Sequence, residues 1–251
     1  MCHDSLIVKM KAKNTIPFLA HCLGLMALRT DRIVLAKLLV LYTLSRIIGT
    51  SVSLVNRESG AWAWNLSISK TLAIIGSMRD GLSIAIDGPV AVGKTVVGRA
   101  LAARLQYRFL DTGVMYRAVT WAALGRNISF TGAEEAIVDI ALHLRIDIEG
   151  HPDKQQVLVD GANVTDSLRS LAVERKVSTV AQIPGVREAL VAKQRALANS
   201  GSIVMVGRDI GTVVLPDADL KIFLKASVTE RAQRRYDQIQ SGGSESDLEL
   251  V

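Results

Sequence analysis

Eight consecutive residues constrain this chain more than any others: Gly88-Pro89-Val90-Ala91-Val92-Gly93-Lys94-Thr95. They match Gly-x4-Gly-Lys-[Ser/Thr] at every fixed position, the pattern of a loop that wraps a phosphate. The flanks agree with it. Leu82-Ser83-Ile84-Ala85-Ile86-Asp87 reads as a short buried strand. Thr95–Leu105 reads as a helix, with Val96, Val97, Ala100, Leu101 and Leu105 spaced for one face. Gly88 and Gly93 permit the bends that turn several N–H groups toward one anion, and the helix behind adds its positive end. Lys94 offers a point charge for the β- and γ-phosphates, and Thr95 a hydroxyl for Mg²⁺. Asp87, at the strand's end, either supports the cation site and the loop backbone or caps N–H groups of a turn.

Strand and helix patterns continue past the loop. Tyr107-Arg108-Phe109-Leu110 predicts a second strand, then Asp111-Thr112-Gly113, then a helix over Val114–Leu124 carrying Met115, Tyr116, Arg117 and Val119. Asp111 and Thr112 stand where a strand hands over to a helix, the end that faces the ligand crevice in open parallel sheets. Either residue is equally placed to cap the helix. Arg117 follows on the first turns, where it faces a phosphate or solvent. Ile146-Asp147-Ile148 and Val157-Leu158-Val159 alternate around His151-Pro152-Asp153-Lys154, and Gly161-Ala162-Asn163 makes a second turn. This predicts a small antiparallel insert at about 145–170. His143 and His151 have no partners at metal-binding spacing and read as surface or packing residues.

Helices are expected over Val173–Val180 and Val186–Ala198, split by Ile183-Pro184-Gly185. Ser178 and Arg187 are unremarkable in sequence alone. Ser202–Gly207 is a strand with a wholly apolar centre, and it runs into Gly207-Arg208-Asp209-Ile210-Gly211-Thr212. That polar cluster at a strand's carboxyl end is either a ligand site or a structural Arg–Asp pair. Leu220–Ala226 is the next strand. Val228–Gln240 is a basic helix bearing Arg231, Arg234 and Arg235, a solvated face or the approach to a phosphate-covering lid. Ser241–Val251 is polar and carries no packing signal.

Charge separates the chain into two parts. Residues 1–78 hold nine Lys/Arg against three Asp/Glu, whereas 79–251 hold 21 of each. The net charge of +6 therefore lies upstream, and the phosphate-loop part has no basic field of the kind that nucleic acid demands. Both cysteines, Cys2 and Cys22, are upstream as well, which leaves the remainder without a disulfide frame. Ile33–Val55 is long enough to span a bilayer, but Lys37 and Arg46 interrupt it. The leading reading places residues 1–80 outside the working fold as a basic, apolar extension, with translation beginning at Met78. A membrane anchor and an organelle-targeting peptide are the alternatives. Trp62 and Trp64 are interfacial anchors only under the first alternative.

From Ile84 to Gln240 the chain resembles bacterial cytidylate kinases. The landmarks are Ile84-Ala85-Ile86-Asp87-Gly88-Pro89, Leu110-Asp111-Thr112-Gly113-Val114-Met115-Tyr116-Arg117, Val164-Thr165-Asp166-Ser167-Leu168-Arg169, Pro184-Gly185-Val186-Arg187, and Gly207-Arg208-Asp209-Ile210-Gly211-Thr212-Val213-Val214 running into Pro216-Asp217-Ala218. The resemblance implies an α/β three-layer sandwich around a mostly parallel sheet, over residues 81–251. The insert at 145–170 would be its nucleoside-monophosphate-binding part. It further implies transfer of phosphate from ATP to CMP or dCMP in the cytoplasm, in pyrimidine metabolism, by a monomer. Gly88 to Thr95 would hold ATP, with Thr95 on Mg²⁺. Lys94, Arg117 and Arg208 would stabilise the transferring charge, the two arginines on the acceptor's phosphate. Thr112, Arg187 and Asp209 would read the base, and Ser178 would touch the pentose. Relatives of this kind continue with an Arg-rich lid, a further strand and a closing helix, which do not occur before Val251. The resemblance therefore predicts an incomplete sheet with Leu220–Ala226 as an exposed edge that the upstream segment does not cover. It leaves open a catalytically weak nucleotide-binding fragment as the second reading.

Overall fold

A computed structural model of the chain describes the strand β1 (Ile7–Ala12) and residues 81–241. Ile33–Val55, the two upstream tryptophans and both cysteines lie outside the described residues. The main sheet has five strands in the order β1-β8-β2-β7-β3. Its parallel part comprises β2 (Ser83–Asp87), β3 (Arg108–Asp111), β7 (Ile203–Gly207) and β8 (Leu220–Lys225). The central strands β2 and β7 are nearly continuous apolar runs because both faces are covered. Ile84, Ile86, Val204, Val206, Ile222 and Leu224 turn to one face. There they pack with Val97, Leu101 and Leu105 of α1 (Lys94–Leu105). Ala85, Ile203 and Met205 turn to the other, toward α2 (Thr112–Gly125), α3 (Glu134–His143), α4 (Leu171–Gln182) and α5 (Pro184–Ala198). Alternation within one strand thus feeds two cores, and the result is the expected three-layer α/β sandwich.

The predicted strands and helices fall within a residue or two of their expected places. Helix α3 had been assigned no element, although Ile137, Ile140 and Ala141 recur at helical spacing and are buried. The insert forms its own antiparallel sheet of β4 (Ile146–Glu149), β5 (Gln156–Val159) and β6 (Ala162–Asn163). Val157, Val159, Val164 and Leu168 join the same core as α2–α5. The Gln155 amide donates to the Phe109 carbonyl at 2.7 Å, so the insert also grips the open edge at β3. His143 and His151 are exposed, each beside an aspartate, and serve no metal cluster among the described residues. The chain ends its described part in α6 (Val228–Ser241).

One expectation is corrected. The edge at β8 is covered, and it is the upstream segment that covers it: β1 runs antiparallel to β8, from Ile7 opposite Lys225 to Ala12 opposite Leu220. An edge strand presents a row of unpaired backbone N–H and C=O groups, and any strand-competent stretch satisfies them whatever its sequence family. No helix among the described residues is long and apolar enough to cross a membrane.

Candidate active site

The carboxyl ends of β2, β7 and β3 meet at one rim of the sheet, and the phosphate loop, Thr112, Arg208 and Asp209 follow directly from those ends. The phosphate loop leaves β2 at Gly88, where φ is 154° and a Cβ would stand 2.6 Å from the Leu224 carbonyl oxygen. No other residue fits there. Val92 is buried in the α1 core and anchors the loop from beneath, while Val90 is exposed. Ala91 (φ 58°) and Gly93 (φ 96°) complete the bend into α1. Lys94 opens that helix, and its Nζ donates to the carbonyls of Gly88 (2.8 Å) and Pro89 (2.6 Å). Burial holds the Lys94 ammonium below the usual lysine range. Asp111 works against that shift, Arg208 adds to it, and Asp87 opposes it. Lys94, Asp111, Arg208 and Asp87 therefore share one electrostatic neighbourhood.

Thr95 donates its hydroxyl to Asp111 Oδ2 at 2.8 Å, while Asp111 Oδ1 accepts from Gly113 N–H at 3.1 Å and caps α2. This answers which of the two handover residues is the cap. Thr112 is already helical and buried, and its hydroxyl donates to the Val206 carbonyl at 3.0 Å. The Thr95 hydroxyl and the Asp111 carboxylate are adjacent hard oxygen donors, a set that suits Mg²⁺.

Asp87 is 7% exposed, and each of its oxygens accepts one backbone N–H: Ile210 at 2.7 Å and Gly211 at 2.8 Å. Of its two readings, the capping one describes these bonds, although the capped turn is more than a hundred residues away. That turn, Ile210–Val214, is a single π-helical turn directly after Arg208 and Asp209.

Arg187 and Arg117 each form an ion pair. Arg187 on α5 donates through Nη2 to Asp209 Oδ2. The alternative of an Arg208–Asp209 structural pair thus gives way to a partner 22 residues distant. Tyr116 lies beside this pair. Burial raises its phenol above the usual range, Arg187 opposing and Asp209 adding to the shift. Arg117 Nη1 donates to Glu174 Oε1 at 2.6 Å, which ties α2 to α4, the helix that also carries the exposed Ser178. Arg208 is exposed beside the phosphate loop. It lines an open cavity of about 440 Å³ together with Gly88, Pro89, Phe223, Lys225 and Ala226. Lys225 Nζ stands 5.9 Å from the Phe223 ring centroid in that cavity. Tyr116, Glu174 and the cavity residues of β8 were not foreseen as site residues. Tyr116 stands beside Arg117 in a quoted landmark, which was the available signal.

Comparison with known proteins agrees with this geometry. The family model for cytidylate kinase matches residues 84–251. The chain is 49% identical over 174 residues to a cytidylate kinase of Geobacillus sp. (strain WCH70), covering 69% of this chain and 77% of that one. It is 51% identical over the same length to a cytidylate kinase of Geobacillus kaustophilus (strain HTA426), with the same coverage. A bifunctional pantoate ligase/cytidylate kinase of Synechococcus sp. (strain JA-3-3Ab) is 49% identical over 169 residues, which is 66% of this chain and 31% of that protein. The chain belongs to the cytidylate kinase family.

Proposed function

We infer that this chain transfers the γ-phosphoryl group of ATP to CMP or dCMP, giving ADP and CDP or dCDP. The observation that carries the reading is the rim itself: Lys94 is held on the loop carbonyls, Arg208 lines one open cavity with Gly88 and Pro89 of that loop, and Asp209, the next residue, is held by Arg187. Cations at the loop and beside its cavity attract the anionic phosphates of a nucleotide. The loop amides and Lys94 hold the donor phosphates. Arg208 and Arg117 bind the acceptor's phosphate, since guanidinium forks match its oxygens. An oxygen of that phosphate attacks the γ-phosphorus in line, and the β–γ bridging bond breaks to release ADP. Catalysis here is positioning and charge neutralisation rather than covalent help. Thr95, with Asp111 nearby, would hold Mg²⁺, which would supply charge neutralisation for the donor phosphates.

Asp209, aligned by Arg187, accepts from the cytosine amino group, which uracil lacks. A polar group left unpaired by the wrong base discriminates strongly. Thr112 stands near the same rim as a base contact, and Ser178 on α4 as a pentose contact. Residues 145–170 serve as the monophosphate-binding insert, residues 81–251 as the catalytic unit, and the upstream segment as an extension that lends β1. The protein works as a cytoplasmic monomer, without nucleic acid. The deciding experiment measures ADP release with CMP, dCMP, UMP and AMP as acceptors. Preference for the two cytidylates is expected, and preference for AMP overturns the reading. Binding of ATP and CMP without any CDP formed would leave a nucleotide-binding protein only.

A further inference from the structure

We propose that Asp87 is a positioning residue for the acceptor nucleotide, acting through the turn that carries Arg208 and Asp209; this rests on the functional reading above. Asp87 ends β2 at the root of the phosphate loop, yet its carboxylate is spent elsewhere. Both oxygens accept backbone N–H groups of Ile210 and Gly211, at 2.7 and 2.8 Å, in a buried setting. A charged acceptor shared by two buried donors is among the stronger hydrogen-bonding arrangements a protein makes. The same π turn is held at its far end. Arg195 of α5 donates to the carbonyls of Val214 (3.0 Å, through Nε) and Val213 (2.8 Å, through Nη2). An anion thus satisfies the turn's leading N–H groups and a cation its trailing carbonyls, the polarity that a helical turn prefers.

The packing leaves the turn little freedom. A Cβ on Gly211 would come within 3.2 Å of Asp87 Oδ2. One on Gly207 would come within 2.6 Å of both Ile210 Cδ1 and Thr112 Oγ1. Single-turn π segments are strained departures from the α-helix, and they persist where neighbouring groups over-determine them. Arg208 and Asp209 are the two residues immediately before this turn, so their backbone inherits its placement. Asp87 consequently fixes the distance between the donor loop, which it begins, and the acceptor contacts, which it does not touch.

The test is CMP binding by calorimetry with neither ATP nor Mg²⁺ present, at a temperature well below each variant's own melting midpoint. Asp87→Asn keeps the shape but sets an amide NH2 against one of the two N–H groups. It is expected to weaken CMP binding by about tenfold while ATP binding, measured separately, changes by less than about threefold. A residue serving only the donor site would move ATP and leave CMP alone, and a residue of purely structural worth would lower the melting point and leave both. Either outcome overturns the proposal. Gly211→Ala crowds the carboxylate without removing charge and decides the matter if Asp87→Asn does not fold. A weakened CMP affinity supports the proposal, and an unchanged one sinks it. Arg208→Ala serves as the reference. Lost CMP binding there, beside an unchanged Asp87→Asn, defeats this proposal alone. An unchanged Arg208→Ala defeats the functional reading and this proposal together.

Discussion

The two sides of the rim are built by different means. The donor side, Gly88 to Thr95, is backbone: positive φ angles at Gly88, Ala91 and Gly93, a carbonyl of β8 pressed against Gly88, and a buried Val92. The proposed acceptor side is made of side chains from separate elements, tied as Arg187–Asp209 and Arg117–Glu174. Backbone geometry tolerates few residue types at each position, so it is written contiguously in the sequence. Side-chain pairing depends on which helices come to lie side by side, so it is dispersed.

This contrast can be broken by mutation. The largest effect belongs to Lys94→Ala, which should lower turnover by about 10³-fold through loss of transition-state charge neutralisation. CMP affinity measured without ATP should stay within about threefold of the parent, because the acceptor side is a separate construction. Gly88→Ala comes next. The strained φ and the Leu224 carbonyl should together cost about 2 kcal/mol or more of stability, read from denaturant unfolding, and abolish measurable ATP binding. A fully active Gly88→Ala would mean that the donor side is not a backbone device. On the acceptor side, Asp209→Asn should raise the KM for CMP by about tenfold and narrow the CMP-to-UMP preference, with ATP binding retained. The smallest effect sharpens the picture. Arg187 and Asp209 truncated singly and together should show a coupling of about 1 kcal/mol in CMP binding, since a half-exposed pair is partly screened. Strict additivity would mean that the two read the base independently.

The same contrast explains what was legible beforehand. The strands β2 and β7 were readable because burial on both faces makes them nearly unbroken apolar runs, and the loop because its glycines sit at fixed intervals. Arg187 and Ser178 stood out only through the family resemblance, and the ion partner of Asp209 was open until α5 was placed beside the turn that follows β7. Asp87 had two readings, and the N–H groups that chose between them lie 123 and 124 residues away. The strand β1 was missed for a related reason. Nothing in Ile-Val-Lys-Met-Lys-Ala marks it as the partner of Leu220–Lys225, because an edge recruits by backbone complementarity and not by side-chain pattern.

That edge pairing joins the two extremes of the described chain. Residue 7 meets residue 225, so the contact closes a long span of the chain into one loop. During synthesis the N-terminal strand emerges first but has no binding site until β8 has left the ribosome. The strand β1 can therefore pair only once β8 is available, later than the pairing of β2 and β3 with β7 requires. The entropy of that closure grows only logarithmically with the span, so the long wait is a matter of timing more than of final stability. Amide hydrogen exchange should accordingly find β1 opening independently of the sheet it completes, well before β2 and β7 yield.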